Sequence, residues 1–530
     1  MDRVQASNTL SRVESQISPL SHILRTNDPP SDRELEKIIL LLREVDAEYS
    51  KFRRQDLDPP FETYVYNPLG RLRDSLRGAA SPVRKTPPEV IEKIFSECLT
   101  YESRDGKEIF WNALDDTEPP WTLARVSQRW RQVALQHQGM WSAIQIDWWA
   151  NAASGRPEPT LPKLARCLER SGIHPLSISY TDAHPASFSA KDLLIFLTQY
   201  SERWTYLKLN VSPVYFEILE RLKGRLPRLE TLRIETGPRI IAGACNVFEV
   251  TPRLRDVQLL HGLRPDDKPY ITIPLSQLQS FGVDSMVGLV DFFAGAPQLS
   301  KFSVWHSNDL AFSITNPNIP VARHSNIRTL YIEQATALEK LEIPSLDSLE
   351  VFSQSNELDT LQCIAHFVIR SSCSLRTLII SSTTIYMDAD IEALINSIPS
   401  LVALTIKGGQ INWEAVVRLL TVRPALPPPF PRLEHLTFLF GGKAPSDLLL
   451  LTAMLESRAA GSNGTRRLAS VTLRELPWQD NYIITRLSSL RNLGVRVDIQ
   501  IQPAPEIHLM SRFGAYMNSG VSMYRDTAVR

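Results

Sequence analysis

The sequence predicts an α/β protein in which a helical N-terminal region precedes a long array of alternating strands and helices. Three observations support this fold class. Two N-terminal stretches repeat apolar residues at helical spacing, two further helical segments lie within residues 81–147, and one strand-like motif recurs through most of the remaining chain. Strands that alternate with helices favour a parallel sheet, because a parallel connection needs a long crossover.

Residues 1–60 carry two apolar stripes at alternating spacings of three and four residues. The first stripe consists of Leu10, Val13, Ile17, Leu20 and Leu24, and the second consists of Leu35, Ile38, Leu42, Val45, Tyr49 and Phe52. Such narrow stripes are typical of the seam of a coiled coil. Ser31 and Glu34 form a capping-box signature at the start of the second helix. We expect an antiparallel helical hairpin (coiled coil), and the alternative is that the stripes serve to dimerise two chains.

Residues 81–147 predict a small helical module with an insertion at 101–118. Thr86-Pro87-Pro88-Glu89 is a typical helix start. The backbone N–H groups of the first helical turn have no partner within the helix, so proline, which lacks an N–H group, fits there at no cost. A polar, acidic insertion separates this helix from a second one. The two helices carry much large apolar surface for so small a unit. Some of that surface should therefore face the rest of the chain or another protein.

From Trp204 onward the motif apolar-x-x-apolar-x-apolar recurs. Its first anchors are Trp204, Leu229, Leu254, Leu278, Leu299, Ile327, Leu346, Leu375, Leu401, Leu433, Leu468 and Leu490, with an extra copy at Leu338. The spacing begins 25, 25, 24, 21 and 28 residues, which is the length of leucine-rich repeats. Prolines two residues before an anchor, such as Pro297 and Pro399, should end the preceding helix. We expect an irregular leucine-rich-repeat solenoid over residues 165–502 and a C-terminal tail over 503–530.

Stacked parallel strands predict a concave sheet from which the side chains between the anchors project. Those positions hold Arg233, Glu235, Gln258, Ser303, Trp305, Tyr331, Glu333, Lys407, Arg474 and Arg496. Exposed aromatic residues beside charged ones are typical of protein-binding hot spots. We expect this surface to hold a target protein. The alternative is that Trp305 and Tyr331 cover a hydrophobic edge beneath a loop.

The helical module resembles a known family. Residues 87–95, Pro-Pro-Glu-Val-Ile-Glu-Lys-Ile-Phe, resemble the opening of the F-box, and residues 126–134, Val-Ser-Gln-Arg-Trp-Arg-Gln-Val-Ala, followed by Met140-Trp141, resemble its second half. The whole chain is similar to the F-box proteins with leucine-rich repeats that are common in mushroom-forming fungi. Thr86 and Ser127 stand where the family has leucine and cysteine, and the insertion separates the two halves.

The resemblance implies that the module binds a Skp-family adaptor, which links it to a cullin–RING ubiquitin ligase. It assigns adaptor binding to Pro87, Pro88, Ile91, Ile94, Phe95, Val126, Trp130 and Trp141. The alternative for several of these residues is that they only fill the core of the module.

Composition and motifs narrow the remaining function classes. The 58 basic and 58 acidic residues give no net charge, whereas nucleic-acid binders usually carry an excess of basic residues. We therefore expect no nucleic-acid binding. The five cysteines form no C-x-x-C pair, and the longest aliphatic block, residues 448–451, falls far short of the ~20 residues that cross a bilayer. With no secretory signal, we expect a cytoplasmic or nuclear protein away from membranes.

No nucleophile elbow, zinc-protease motif or phosphate-binding loop occurs, and the ten histidines are dispersed. We therefore expect no cofactor and no enzymatic activity, although dispersed residues can converge in a fold. The function expected first is a substrate receptor of a cullin–RING (SCF-type) ubiquitin ligase. The alternative is an interaction scaffold that acts outside ubiquitination.

Overall fold

The computed structural model describes residues 2–52, 59–99, 101–102, 108–109, 111–147, 160–182, 188–211, 215–235, 245–260, 271–284, 286, 288–305, 320–353, 360–382, 388–408, 411–423, 427–441, 445, 447–461, 464–476 and 481–501. The predicted tail and parts of the predicted insertion (103–107 and 110) lie outside the described residues. The chain divides into two compact units, residues 1–288 with 295–298, and residues 289–294 with 299–530. Both units are mixed α/β, and the chain forms a large parallel sheet.

The first unit begins with a helical bundle. Its helices are α1 (Asp2–Ile17), α2 (Ser21–Arg25), α3 (Asp32–Tyr49), α4 (Pro59–Phe61) and α5 (Asn67–Ala80), with a π-helical segment at Glu62–Tyr66. The predicted capping box is confirmed, since the Ser31 N–H donates to Glu34 Oε2 at 2.8 Å.

The bundle has one long helix more than the expected hairpin. Helix α5 packs on α3 and contributes the fully buried Leu69 and Leu76 to a core that also holds Val13, Ile38 and Val45 of the two stripes. This helix was not predicted from the sequence, although apolar residues recur along it at helical spacing. Because α5 packs on α3, much of the two stripes is buried within one chain, while Leu42, Tyr49 and Phe52 stay partly exposed.

The helical module follows directly. It comprises α6 (Pro88–Leu99), the short antiparallel pair β1 (Tyr101–Glu102) and β2 (Glu108–Ile109), α7 (Gln128–Gln136), a 3₁₀ turn at Gln138–Trp141 and β3 (Ala143–Asp147). Helix α6 packs against α7. Strand β3 also opens the parallel sheet, so the module passes into the repeat region without a linker.

The strands of the first unit pair in parallel in chain order. After β3 they are β4 (Leu176–Asp182), β5 (Trp204–Val211), β6 (Thr231–Glu235), β7 (Asp256–Leu260) and β8 (Ser280–Val283), and the intervening helices are α8 (Leu161–Arg170), α9 (Phe188–Thr198) and α10 (Phe216–Leu219). The second apolar anchor of each repeat aligns across the sheet, through Ile144, Ile178, Leu207, Leu232, Val257 and Phe281. All six are buried, so this register places the core on one face.

The outer edge of β3 is covered by the second half of the predicted insertion. The Ala113 N–H donates to the Ala143 carbonyl at 2.9 Å, and the Gln145 N–H donates to Asn112 Oδ1 at 3.1 Å. Ala113 is itself fully buried. Residues 111–118 were expected to be part of a polar insertion, but 112 and 113 instead supply partners that a sheet edge otherwise lacks.

The described residues of the second unit repeat the pattern with eight parallel strands. They are β9 (Lys301–Val304), β11 (Thr329–Ile332), β13 (Ser348–Ser353), β14 (Thr377–Ser382), β15 (Ala403–Lys407), β16 (His435–Leu439), β17 (Ser470–Leu476) and β18 (Arg496–Ile501). The helices α11 (Leu289–Gly295), α12 (Thr360–Ser371), α13 (Asp388–Ser397), α14 (Trp413–Leu420), α15 (Leu448–Ala459) and α16 (Asn481–Ser489) lie between strands, and α12 to α16 each pack on the next.

Two details of the predicted repeats are clear in the fold. Helices α11 and α13 end at Gly295 and Ser397, each two residues ahead of a predicted helix-ending proline. The extra motif copy at Leu338 adds no strand to the large sheet. It provides β12 (Leu341–Glu342), which pairs with β10 (Ala322–Arg323) in a separate two-stranded sheet, while β11 pairs directly with β13.

Two arginine side chains connect neighbouring repeats by donating to backbone carbonyls. Arg458 of α15 is 1% exposed; its Nε donates to the Leu420 carbonyl at 2.7 Å and its Nη2 to the Pro429 carbonyl at 2.8 Å. Burial lowers the pKa of this guanidinium to about 10. Arg370 of α12 reaches the Leu341 carbonyl in the same way, at 3.0 Å. These contacts satisfy carbonyls that would otherwise be buried without a donor.

We expect Arg458→Met to loosen this part of the second unit. Methionine keeps much of the volume but leaves the Leu420 and Pro429 carbonyls without their donor, at a cost of about 1–3 kcal/mol for each buried group left unpaired. Hydrogen exchange followed by mass spectrometry should show faster exchange in α14 and α15. Arg423→Met, at an exposed position, is the control. Equal exchange in the two variants would show that the carbonyl contacts contribute nothing.

Candidate protein-interaction surfaces

Helix α6 has two apolar faces, one inside the module and one outside. Ile91, Phe95 and Leu99 recur every fourth residue and are buried, with exposed fractions of 0%, 0% and 6%. The adjoining face carries Pro87, Val90, Ile94 and Cys98, all exposed, which we call the α6 strip. Val90 is 48% exposed and Ile94 is 40% exposed. The described residues therefore leave a row of apolar side chains uncovered.

Helix α7 presents a second exposed apolar group close to its N-terminus. Ser127 caps the helix by accepting a hydrogen bond from the Trp130 N–H at 3.1 Å. The Trp130 ring meets the Phe95 ring edge-on, with centroids 5.1 Å apart, and remains half-buried. Val126, one turn earlier, is 54% exposed. Trp130 thus contacts the core of the module on one side and is exposed to solvent on the other.

Two arginines hold the start of α6 in place. Arg129 of α7 donates to the Arg84 carbonyl at 2.7 Å and to the Thr86 carbonyl at 2.6 Å, immediately before the exposed Pro87. Arg84 in turn donates to the Ile23 carbonyl of the N-terminal bundle at 2.8 Å. Burial lowers the pKa of the Arg84 guanidinium. The α6 strip is therefore fixed to both α7 and the bundle, and is presented as a preformed surface.

The predicted adaptor-binding residues fall into two groups. Pro87, Pro88, Ile94, Val126 and Trp130 lie at or partly at the surface. Ile91, Phe95 and Trp141 are fully buried, so their assignment as contact residues is corrected: in this structure they are core residues. From the sequence alone, the two faces of α6 were not distinguished, and Val90 was not predicted as a contact residue although it lies one turn before Ile94.

Trp141 has a different role from the one expected. It occupies the first-anchor position of a repeat, because Trp141, Ile144 and Ile146 follow the recurring motif and Ile144 aligns with the anchors of the later strands. Its Nε1 donates to the Ala134 carbonyl at 2.7 Å, and the Trp121 ring meets it edge-on at 5.1 Å. The motif itself was the signal that could have shown this.

The exposed face of the first-unit sheet carries Arg233, Glu235 and Gln258 as expected, each partly exposed. Arg233 lies beside Gln258 in register, and Lys208 lies on its other side. The Arg233 guanidinium donates to both carboxylate oxygens of Asp256, at 2.9 and 2.7 Å. Sequence reasoning missed this bidentate pair, which fixes the arginine instead of leaving it free for a partner.

The exposed face of the second-unit sheet carries the other predicted residues. Trp305 and Tyr331 are partly exposed, and their ring centroids lie 4.8 Å apart at 42°. The Tyr331 hydroxyl donates to Glu333 Oε1 at 3.0 Å. Lys407 lies 3.7 Å from Glu350, which is two strands away, while Arg474 is exposed on β17. The predicted aromatic and charged residues of this unit are therefore brought together on one face.

The described residues contain no group of three or more His, Cys, Asp or Glu side chains that could hold a metal ion. None of their helices is both long and apolar enough to cross a bilayer. None of the five cysteines, all of which lie in the described residues, forms a disulfide bond, and only Cys98 is exposed.

No protein-family model matches the chain, and no curated protein sequence matches it. The family resemblance therefore depends on the residues of the helical module and on the repeat motif alone.

We expect Cys98 to be the first cysteine that alkylates in the folded protein. It is exposed on α6, whereas burial raises the pKa of Cys167 to about 11 and the pKa of Cys373 to about 11, so that little reactive thiolate forms at either site. Iodoacetamide treatment at mildly alkaline pH, followed by peptide mass spectrometry, tests this order. The unfolded protein, in which all five should react, is the control. Early modification of Cys167 would contradict the buried environment.

Proposed function

We propose that this chain is a non-catalytic substrate receptor of a cullin–RING ubiquitin ligase. The helical module acts as an F-box that binds a Skp-family adaptor, and the exposed face of the repeat sheet holds a target protein. The observation that carries the proposal is the α6 strip. A module that resembles the F-box keeps Val90 and Ile94 at its surface, with Trp130 on the neighbouring helix α7 and Val126 just before that helix.

Apolar side chains in this arrangement suit a protein interface better than open solvent. Interface hot spots favour a buried tryptophan within a rim of less critical contacts, and Trp130 already rests on Phe95 on one side. The exposed part of the Trp130 ring can serve as the anchor, and the α6 strip provides the flanking apolar surface. The arginine ties from Arg129 and Arg84 support the same interpretation, because a preformed surface loses little conformational entropy on binding.

In this role the chain makes and breaks no covalent bond. It raises the effective concentration of the target beside the ubiquitin-charged enzyme that the ligase recruits. Specificity then depends on which target the sheet face accepts, and the rate depends on how long both partners stay bound. No ionisable group of the chain needs to take part in the transfer.

We expect Ile94→Asp to abolish co-purification with a Skp-family adaptor. The side chain is exposed, so the variant should fold, but docking would bury an unpaired carboxylate at a cost of about 3–5 kcal/mol, or more than about a hundredfold in affinity. Ile369→Asp on α12, at a position 65% exposed, is the matched control and should bind normally. Thermal unfolding of both variants checks that neither loses its fold.

Cys98 offers an independent measurement on the unmodified chain. It lies one turn beyond Ile94 on the α6 strip, so bound adaptor should slow its alkylation. A wild-type chain that leaves the adaptor behind, with Cys98 reacting at the same rate in its presence, would end the ligase proposal.

The second candidate is an interaction scaffold that acts outside ubiquitination. Thr86, where the family has leucine, and the insertion between the two halves favour it. A wild-type chain that retrieves a stable partner without adaptor or cullin would support this function instead.

A further inference from the structure

At the start of the second-unit sheet, aromatic side chains gather on the exposed face. Trp305 follows β9, Tyr331 lies on β11 and Phe352 lies on β13, all three partly exposed. The Trp305 and Tyr331 rings are tilted by 42° with their centroids 4.8 Å apart. Aromatic faces concentrate negative electrostatic potential, and tryptophan binds cations best.

Two carboxylates lie among these rings. Tyr331 and Glu350 are paired in register on adjacent strands, and the Tyr331 hydroxyl donates to Glu333 at 3.0 Å. Trp305, Tyr331, Glu333, Glu350 and Phe352 together form what we call the aromatic–acidic cluster. Rings and carboxylates both attract a cation, so every member of the cluster favours the same kind of group.

The cluster lies at one end of a face whose charge changes along the sheet. Lys407 on β15 and Arg474 on β17 make the later strands basic. Lys407 approaches Glu350 at 3.7 Å, but both side chains are more than a third exposed (39% and 36%), and such surface pairs contribute little. A ligand cation that excludes water from Glu350 can therefore compete with Lys407.

We propose that the aromatic–acidic cluster binds an arginine side chain of the target protein. The inference rests on the proposed role of this sheet face in target binding. A guanidinium is flat, so it can stack on Trp305 or Tyr331 while its edge donates to Glu333. A lysine ammonium is a strongly hydrated point charge that cannot do both as well. Arginine is thus the residue that the geometry and the charge favour.

The test selects peptides from a displayed random library on the purified full-length chain. The selected peptides should share an arginine, and replacing it with alanine should weaken binding, measured by fluorescence anisotropy of the synthetic peptide, by about tenfold or more. Replacement with lysine should also weaken binding. Trp305→Ala and Glu333→Gln in the protein should each cause a comparable loss. The control is Glu392→Gln on α13, which also removes one negative charge at an exposed position and should bind normally.

Charge reversal provides the sharpest comparison. Peptides selected on Glu333→Arg should no longer share the arginine. The inference would be overturned if the library yields no binders or if the binders share no arginine. It would also be overturned if arginine peptides bind Trp305→Ala and Glu333→Gln as well as they bind the wild type.

Adaptor co-purification, run on the same preparations, separates this inference from the proposed function. Arginine peptides that bind a chain unable to retain the adaptor would contradict only the ligase role. Adaptor binding by a chain whose selected peptides lack arginine would contradict only the arginine site.

Discussion

The structure depends on the alignment of apolar anchors from one parallel strand to the next. A single strand of this chain carries only a few apolar side chains on one face and cannot bury them alone. In the second unit, Phe302, Leu330, Leu349, Leu378, Leu404, Leu436, Val471 and Val497 follow one another in register. Because successive side chains alternate between faces, this row also fixes which residues face outward. Burial of the anchors therefore positions the candidate target surface.

Much of this arrangement follows from local sequence. The anchor motif predicted the strands of the large sheet from β5 to β17 because its signal lies within six consecutive residues, and prolines such as Pro399 marked where helices end. The last copy, at Leu490, was wrong: it falls on a 3₁₀ turn (Leu490–Leu493), and Val497 of β18 is the residue in register with Val471. Strand β4 escaped the pattern because Leu176, which pairs with the first anchor Trp204 across a register shift, lies two residues before the second anchor Ile178 instead of three. Helix α5 was missed although Leu69, Leu72 and Leu76 keep helical spacing, since Gly70 and Gly78 obscure the pattern.

Contacts between distant parts of the chain could not be predicted. The arginine at position 458 reaches carbonyls 29 and 38 residues earlier, and no local pattern distinguishes it from the exposed Arg423. The same limit applies to α6. This helix has two rows of apolar residues at helical spacing, one through Ile91 and one through Ile94. The sequence does not distinguish them, and only packing against α7 decides which row is buried. The sequence could therefore predict the candidate adaptor surface as a region, but not which of its residues are exposed.

The cover over β3 also limits how copies of this chain can associate. An open sheet edge on each side would let molecules add end to end without limit. Here the Ala143 carbonyl and the Gln145 N–H already have partners in residues 112 and 113. Strand addition at this end would require displacing them. A second copy of the chain can therefore add a strand to β3 only after residues 112 and 113 have moved away from that edge.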